Sequence, residues 1–310
     1  MIFAVYFPLI LPLLAVPVVR WVADRLHPAR ASWLVTIAAL VLAACATVAL
    51  ALLMFAALSV DGTFARLGHW SPAELRHLHA INPPADVAAA LLLTALATHA
   101  ATVTVRRVRA LLAAHRTAAQ HDGELMVVTD DHPLAHALPG RPGRIVVSSS
   151  MLTILGPAER RALLAHERAH LAHAHHLYVA VVDVLAAVNP LLRPLTSVIR
   201  YTTERWADEV AAGQVGDRSA VARAVGKAAL ASKANPPVPG IALAATTGPV
   251  PRRVAALLTA PPAGHPKSVL SVTGACAVVA CCLLLGSVLF SFDAVTDLHR
   301  VLELAAQHRR

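Results

Sequence analysis

Residues 163–176, "LLAHERAHLAHAHH", place five histidines and one glutamate in fourteen positions of an otherwise apolar chain. If this stretch is helical, His166 and His170 are separated by about 40° around the axis and roughly 6 Å along it. Two imidazoles so placed can bind one metal ion, with Glu167 beside them to take a proton from water. This is the HExxH arrangement of zinc peptidases, in which the glutamate carries a proton from water to the leaving amine. The bland alternative is an exposed polar helix face, and it stands until a third ligand is found.

Catalytic zinc takes three protein ligands and keeps one position open. His176 has the metzincin spacing, but that pattern needs a Gly to end the helix, and His173 stands in its place. On a continuous helix His176 would sit about 15 Å along the axis from His166, and His173 about 10 Å, both beyond coordination reach. His175 would point to the opposite face. These three read as surface or outer histidines.

A better third ligand lies downstream in "YTTERWADEVAA", 201–212. Glu204, on a second helix antiparallel to the first, can close a His–His–Glu site. Asp208, one turn later on the same face, can receive the free N–H of a metal-bound histidine and fix its ring. Tyr201, one turn before Glu204, is a candidate oxyanion or substrate contact; packing at a membrane face is the other role open to it. By itself "ERWAD" is also an ordinary solvated helix face.

The elements around this constellation are those of a membrane protein. Of 310 residues 57% are hydrophobic and only 15% charged, and the apolar residues gather into runs of the roughly 20 needed to span a bilayer. Four spans are expected, at about 2–19, 33–58, 86–105 and 268–291. Positive charge follows the first run rather than preceding it, so a retained span is expected there and not a signal peptide. Arg20, Arg25 and Arg30, then Arg106, Arg107 and Arg109, and later Arg252, Arg253 and Lys267 flank the spans on one side. By the positive-inside rule the N-terminus lies outside and region 106–267 in the cytoplasm of a plasma-membrane protein. The tail 292–310 is then extracytoplasmic and can form an amphipathic helix.

The net charge of +9 is accounted for by these basic loops, and no direct nucleic-acid binding is expected. Cys45, Cys276, Cys281 and Cys282 all fall inside expected spans and read as small packing residues. His99, a titratable group inside the third span, is a functional candidate or a helix–helix hydrogen-bonding group.

The expected fold class is therefore mainly α, a polytopic membrane protein with a cytoplasmic α+β peptidase domain between spans three and four. "ELMVVTDD" (124–131) and "GRIVVSSSML" (143–152) read as strands of a hairpin or small sheet edge, separated by Pro and Gly turn signals. "RIVVSSS" (144–150) is the expected edge for a substrate strand. Pro157 and Glu159 open a helix expected to run unbroken through the histidines. The apolar stretch 177–198, interrupted by Asp183, Asn189, Pro190, Arg193 and Pro194, is expected to pack on or re-enter the membrane, since a single full crossing would divide the site. Helices are expected around 199–214, 217–232 and 252–262, with loops at 235–240 and 246–251.

HExxH followed by Glu204-Arg205-Trp206-Ala207-Asp208, after Asp130-Asp131-His132-Pro133-Leu134-Ala135 and the Pro139-Gly140 to Val147 segment, resembles the membrane gluzincin peptidases over roughly 120–260. Three spans, a cytoplasmic protease domain and a fourth span resemble the BlaR/MecR-type antirepressors in particular, as does "VNPLLRPL" (188–195). The resemblance implies one Zn2+ per chain held by His166, His170 and Glu204, with Glu167 as general base and acid. It implies as substrate a cytoplasmic winged-helix repressor of BlaI/MecI-like type, often with self-cleavage; an oligomer is open. The antibiotic sensors of that family carry a penicillin-binding domain after the last span, and the residues 292–310 have no room for one. Two other readings stand beside it. One is a membrane quality-control or prenyl-protein peptidase of HtpX or CAAX type, and the other a metal-binding scaffold without hydrolysis.

Overall fold

The computed structural model describes residues 2–59, 83–234, 250–261 and 272–307. The chain is mostly helical, with one small sheet. The expected first span is two shorter helices, α1 (Ile2–Ile10) and α2 (Pro12–Ala23), which meet at Leu11. Pro12, without a backbone N–H, suits the first position of a new helix better than the interior of an old one. Helix α3 (Pro28–Ser59) and helix α4 (Pro83–Ala119) follow. Within them Pro28–Ala56 and Val87–Ala119 are long and apolar enough to cross a membrane. Helix α4 does not stop at its arginines but continues through them as one rod.

The sheet has the order β1-β3-β2, with β1 (Leu125–Val128), β2 (Ala135–Leu138) and β3 (Arg144–Ser148). Of the two expected arrangements, a hairpin or a small sheet edge, the two β-branched runs form a small sheet with β1 at its edge and no hairpin. Strand β1 pairs parallel to β3, Leu125 with Ile145 through Val128 with Ser148. The "AHAL" segment between them, read from sequence as a linker, forms β2 antiparallel to β3, Ala135 opposite Val147 and Leu138 opposite Arg144. Strand β3 is consequently the central strand, and 144–150 offers no free edge; β2 does. Ile145 and Val147 are fully buried against Met151, Leu155 and Leu163. Gly140, in the turn before β3, lies so close to α4 that a Cβ on it would stand 2.7 Å from the Ala118 Cβ.

Helix α5 (Ser149–Ile154) is capped by Ser148, whose side chain accepts from Met151 N. Helix α6 (Pro157–Ala172) begins at Pro157, and Glu159 in its first turn accepts from Gly156 N–H at 2.9 Å. The helix carries His166 and His170 but does not run on through His173, His175 and His176. It ends at His173, Ala174 adopts a left-handed conformation (φ 49°), and α7 (His175–Val188) departs at 57° to α6.

Helix α7 has 14 residues, about 21 Å of helix, short of a bilayer core of about 30 Å. Asn189 caps a turn at Pro190–Leu192, accepting from Leu191 N. The chain then reverses into α8 (Arg193–Val215). Helices α9 (Arg218–Ala234), α10 (Val250–Leu257) and α11 (Val272–Gln307) complete the described chain. The expected tail helix is continuous with α11 as far as Gln307. The expected loop at 235–240 and residues 246–249 lie outside the described residues.

Two packed regions hold the site between them. In the first, α2, α3, α7 and the start of α8 bury Val19, Val35, Ala38, Leu42, Val182, Leu195 and Ile199. Ser32 on α3 donates to Thr202 on α8 at 3.0 Å. Asp183, in the middle of apolar α7, accepts from Arg107 on α4 and from Arg200 on α8. In the second, α6 meets α8, α9 and α10 through Ala162, Ala165, Ala211, Ala212, Val221 and Leu257. Small side chains let helix backbones approach closely, which brings longer polar groups on neighbouring turns into contact.

Candidate metal centre

Helix α6 presents His166, Glu167 and His170, and α8 crosses it with Glu204 and Asp208. Ala165 and Ala169 on one helix and Ala207 and Ala211 on the other are all less than 5% exposed, so nothing bulky keeps the two ligand-bearing turns apart.

His166 Nε2 lies 3.1 Å from His170 Nε2 and 3.4 Å from Glu204 Oε2, and His170 Nε2 lies 3.5 Å from Glu204 Oε1. A tetrahedral ion with bonds of about 2.05 Å requires donor–donor edges of about 3.3 Å. The two imidazole nitrogens and the Glu204 carboxylate, one oxygen towards each histidine, stand near those separations, and one donor atom from each residue lies within 4.8 Å of the others, so His166, His170 and Glu204 fit a zinc ion.

Each ligand has a partner on its far side. His166 Nδ1 lies 3.1 Å from Asp208 Oδ1, a contact bent away from an ideal hydrogen-bond line. Asp208 is fully buried. It accepts two hydrogen bonds from Arg253 on α10, from Nε at 2.8 Å and Nη2 at 2.7 Å. The remaining Arg253 nitrogen, Nη1, sits 2.8 Å from Glu204 Oε2. His170 Nδ1 lies 3.1 Å from His175 Nδ1.

The charges explain the titration of the group. Burial opposes a charge on His166, but the Asp208 and Glu204 carboxylates outweigh it and lift the imidazole to about 10. Burial pushes His170 down to about 4. Burial would raise Glu204, yet Arg253 and His170 hold it far below the carboxylate range. Asp208 feels the same burial and is likewise lowered, by Arg253 first. Glu167 is the exception. Burial lifts it to about 7, against the pull of the His166 charge and of the nearby Ala137 backbone. A carboxyl in that range can take a proton and return it near neutral pH.

Of the remaining sequence candidates, His173 is partly buried, its ring 4.7 Å from Trp206. Tyr201 lies under the guanidinium of Arg252, 4.6 Å from its ring. The structure does not leave His175 on the opposite face as the unbroken helix required. The turn at Ala174 brings it back to His170, 1% exposed, its ring 4.7 Å from Trp206. His175 is read from the sequence as a surface or outer histidine, and the structure changes its face; Arg253 and Trp206 are the residues that the sequence does not mark for the site. Trp206 stood in view between Glu204 and Asp208. Arg253 falls in the expected helix around 252–262, where the sequence marks it only as basic charge flanking a span.

Among known proteins, Peptidase family M48 matches residues 99–189. The matched segment contains His166, Glu167 and His170 and ends before Glu204. No curated protein and no solved structure matches the chain. The match, the His–His–Glu cluster and the apolar helices together support a membrane-type zinc metallopeptidase. The match names M48 and not the antirepressor type.

Proposed function

We propose that this chain is a membrane-embedded zinc endopeptidase that cleaves a cytoplasmic winged-helix repressor, with His166, His170 and Glu204 as ligands and Glu167 as the proton carrier. The observation that carries the peptidase reading is the convergence of His166, His170 and Glu204, one donor atom from each within 4.8 Å of the others, with the buried carboxyl of Glu167 beside them. A zinc ion held there supplies electrophilic polarisation of a peptide carbonyl and makes water acidic near neutral pH. The residues of the chain do the rest. Glu167 receives a proton on its carboxylate and hands it to the leaving amine nitrogen. Asp208 and Arg253 keep His166 and Glu204 in place while this happens.

Strand β2 is the substrate's natural neighbour. Leu134 C=O accepts from Ser148 N, so by antiparallel alternation the groups of Ala135 and Ala137 face away from β3. The Ala137 backbone lies near enough to Glu167 to lower its carboxyl pKa. An extended segment added along this edge would run past the general base.

The repressor as substrate rests on the resemblance to the antirepressors and on the arrangement of the membrane segments. Helices α3 and α4 serve as spans, with the first and last apolar runs as two more. Helix α7 and the turn at Pro190 return the chain so that both halves of the site stay on one side, taken as cytoplasmic. The match names a peptidase family and no antirepressor, so a second reading stands beside the first, a membrane quality-control or prenyl-protein peptidase. Co-expression with a winged-helix repressor encoded beside this chain decides between them, wild type against Glu167→Gln. Cleavage of the repressor that disappears in the variant supports the first reading. An intact repressor alongside cleavage of unfolded membrane proteins supports the second.

A further inference from the structure

The sequence offers His175 no role, and HExxH chemistry as described above does not need it. Yet it is among the most buried polar residues of the described chain, at 1% exposure. Two unfavourable features keep it where it is. Ala174, a residue with a Cβ, takes φ 49° to turn α7 back towards α6, a conformation that L-residues avoid. In addition, His175 Nε2 is buried with no hydrogen-bond partner among the described residues. Local costs that persist in a well-packed region point to a constraint set from outside the segment.

The geometry points to His175 as a positioning residue for the metal ligand His170, which it orients by accepting the proton on His170 Nδ1. This rests on the zinc-site reading above. For His170 to offer the Nε2 lone pair, which faces His166 and Glu204, its proton must sit on Nδ1. That atom is 3.1 Å from His175 Nδ1. His175 must then present a lone pair at Nδ1 and carry its own proton on Nε2, the atom left without a partner. The unpaired N–H follows from the role. The rings meet nearly at right angles, 88°, so the His170 N–H in its ring plane can point at its neighbour. Trp206 and His173 flank the His175 ring at 4.7 Å and 5.8 Å and keep it from turning. His166 has a carboxylate behind it and His170 a neutral imidazole, so the ligand set gains no further negative charge.

The test uses the full-length protein in detergent, stripped of metal, with zinc alone as the probe in competition with a chromophoric chelator. His175→Phe keeps the ring and removes the acceptor. His175→Asn puts a carbonyl oxygen near the Nδ1 position, while His175→Gln puts its amide near Nε2 instead. Loss of an outer partner of a metal-bound histidine costs about 10–100-fold in affinity. His175→Phe and His175→Gln should show that loss, and His175→Asn should stay within about threefold of wild type. Cobalt(II) in place of zinc should keep a four-coordinate spectrum in all of them, since no ligand is removed. Wild-type affinity in folded His175→Gln, or a loss in His175→Asn equal to that in His175→Gln, overturns the assignment. Should His175→Phe fail to fold, the Asn and Gln pair decides alone. A wild-type protein that takes up no zinc overturns the site reading itself, a result distinct from equal binding by all variants.

Discussion

Arg253 Nη1 and Glu204 Oε2 stand 2.8 Å apart, while the other face of the same guanidinium grips Asp208. One cation thereby fixes both a candidate metal ligand and the group behind another ligand. Arg253 is 9% exposed, so its charge is compensated by those carboxylates and theirs by it.

Arg253→Met should therefore leave the buried Asp208 carboxylate, and the part-buried one of Glu204, short of a partner. Removing one member of a buried ion pair costs about 3–5 kcal/mol, and thermal unfolding of the metal-free protein should show it. Zinc, which replaces part of the missing positive charge, should restore more stability to the variant than to wild type. Equal stabilisation by zinc in both would contradict this account of Arg253.

Glu167→Gln should keep zinc affinity within about threefold of wild type, because Glu167 is not among the three converging donors. Cleavage should fall by at least about 100-fold, the usual worth of a positioned general base. Chelator competition and a peptide-cleavage assay on the same preparation measure the two effects separately. A variant that still cleaves would remove Glu167 from the mechanism.

Zinc uptake should expel a proton from His166. In the metal-free protein the folded pKa of this imidazole is raised to about 10 from 6.5. The group is therefore protonated at neutral pH, and its contribution to stability is present below pH 6.5 and lost as pH rises through about 10. Since the ligand must be neutral, about one proton is released per zinc between pH 7 and 9, and apparent affinity rises up to about tenfold per pH unit. Titration calorimetry in buffers of different ionisation enthalpy reads the proton directly. No release in that range would show that His166 is neutral before the metal arrives.

Ala174→Gly should stabilise the protein by about 1 kcal/mol, since glycine takes the left-handed conformation without the cost an alanine bears. Ala174→Val should destabilise it by at least as much. Melting curves check both. The same order in reverse would mean that α6 and α7 join differently.

HExxH was legible in the sequence because its meaning depends only on local helix geometry, which holds for α6 from Pro157 to Ala172. Glu204 and Asp208 were legible as a facing pair for the same reason, being one turn apart. The break at Ala174 was not legible. No glycine marks it, and the local preference for continuing the helix is only about 1–2 kcal/mol, which packing of His175 against His170 and Trp206 can overcome. The pairing of β1 with β3 was hidden for a related reason. The β-branched runs declare themselves as strands, but direction depends on the route between them, and "AHAL" carries a weak strand signal until β3 offers it an open edge.

The amino-acid sequence by itself determined the apolar segments, the helix that carries His166, Glu167 and His170, and the turn that carries Glu204 and Asp208, because each depends on interactions within a few residues. Tertiary structure alone decided how these are joined. The alanine contacts between α6 and α8 set the donor spacing, α10 brings Arg253 from 45 residues beyond Asp208, and the bend at Ala174 returns His175 to His170. Such contacts are fixed by what packs against what in three dimensions, and no local pattern along the chain encodes them.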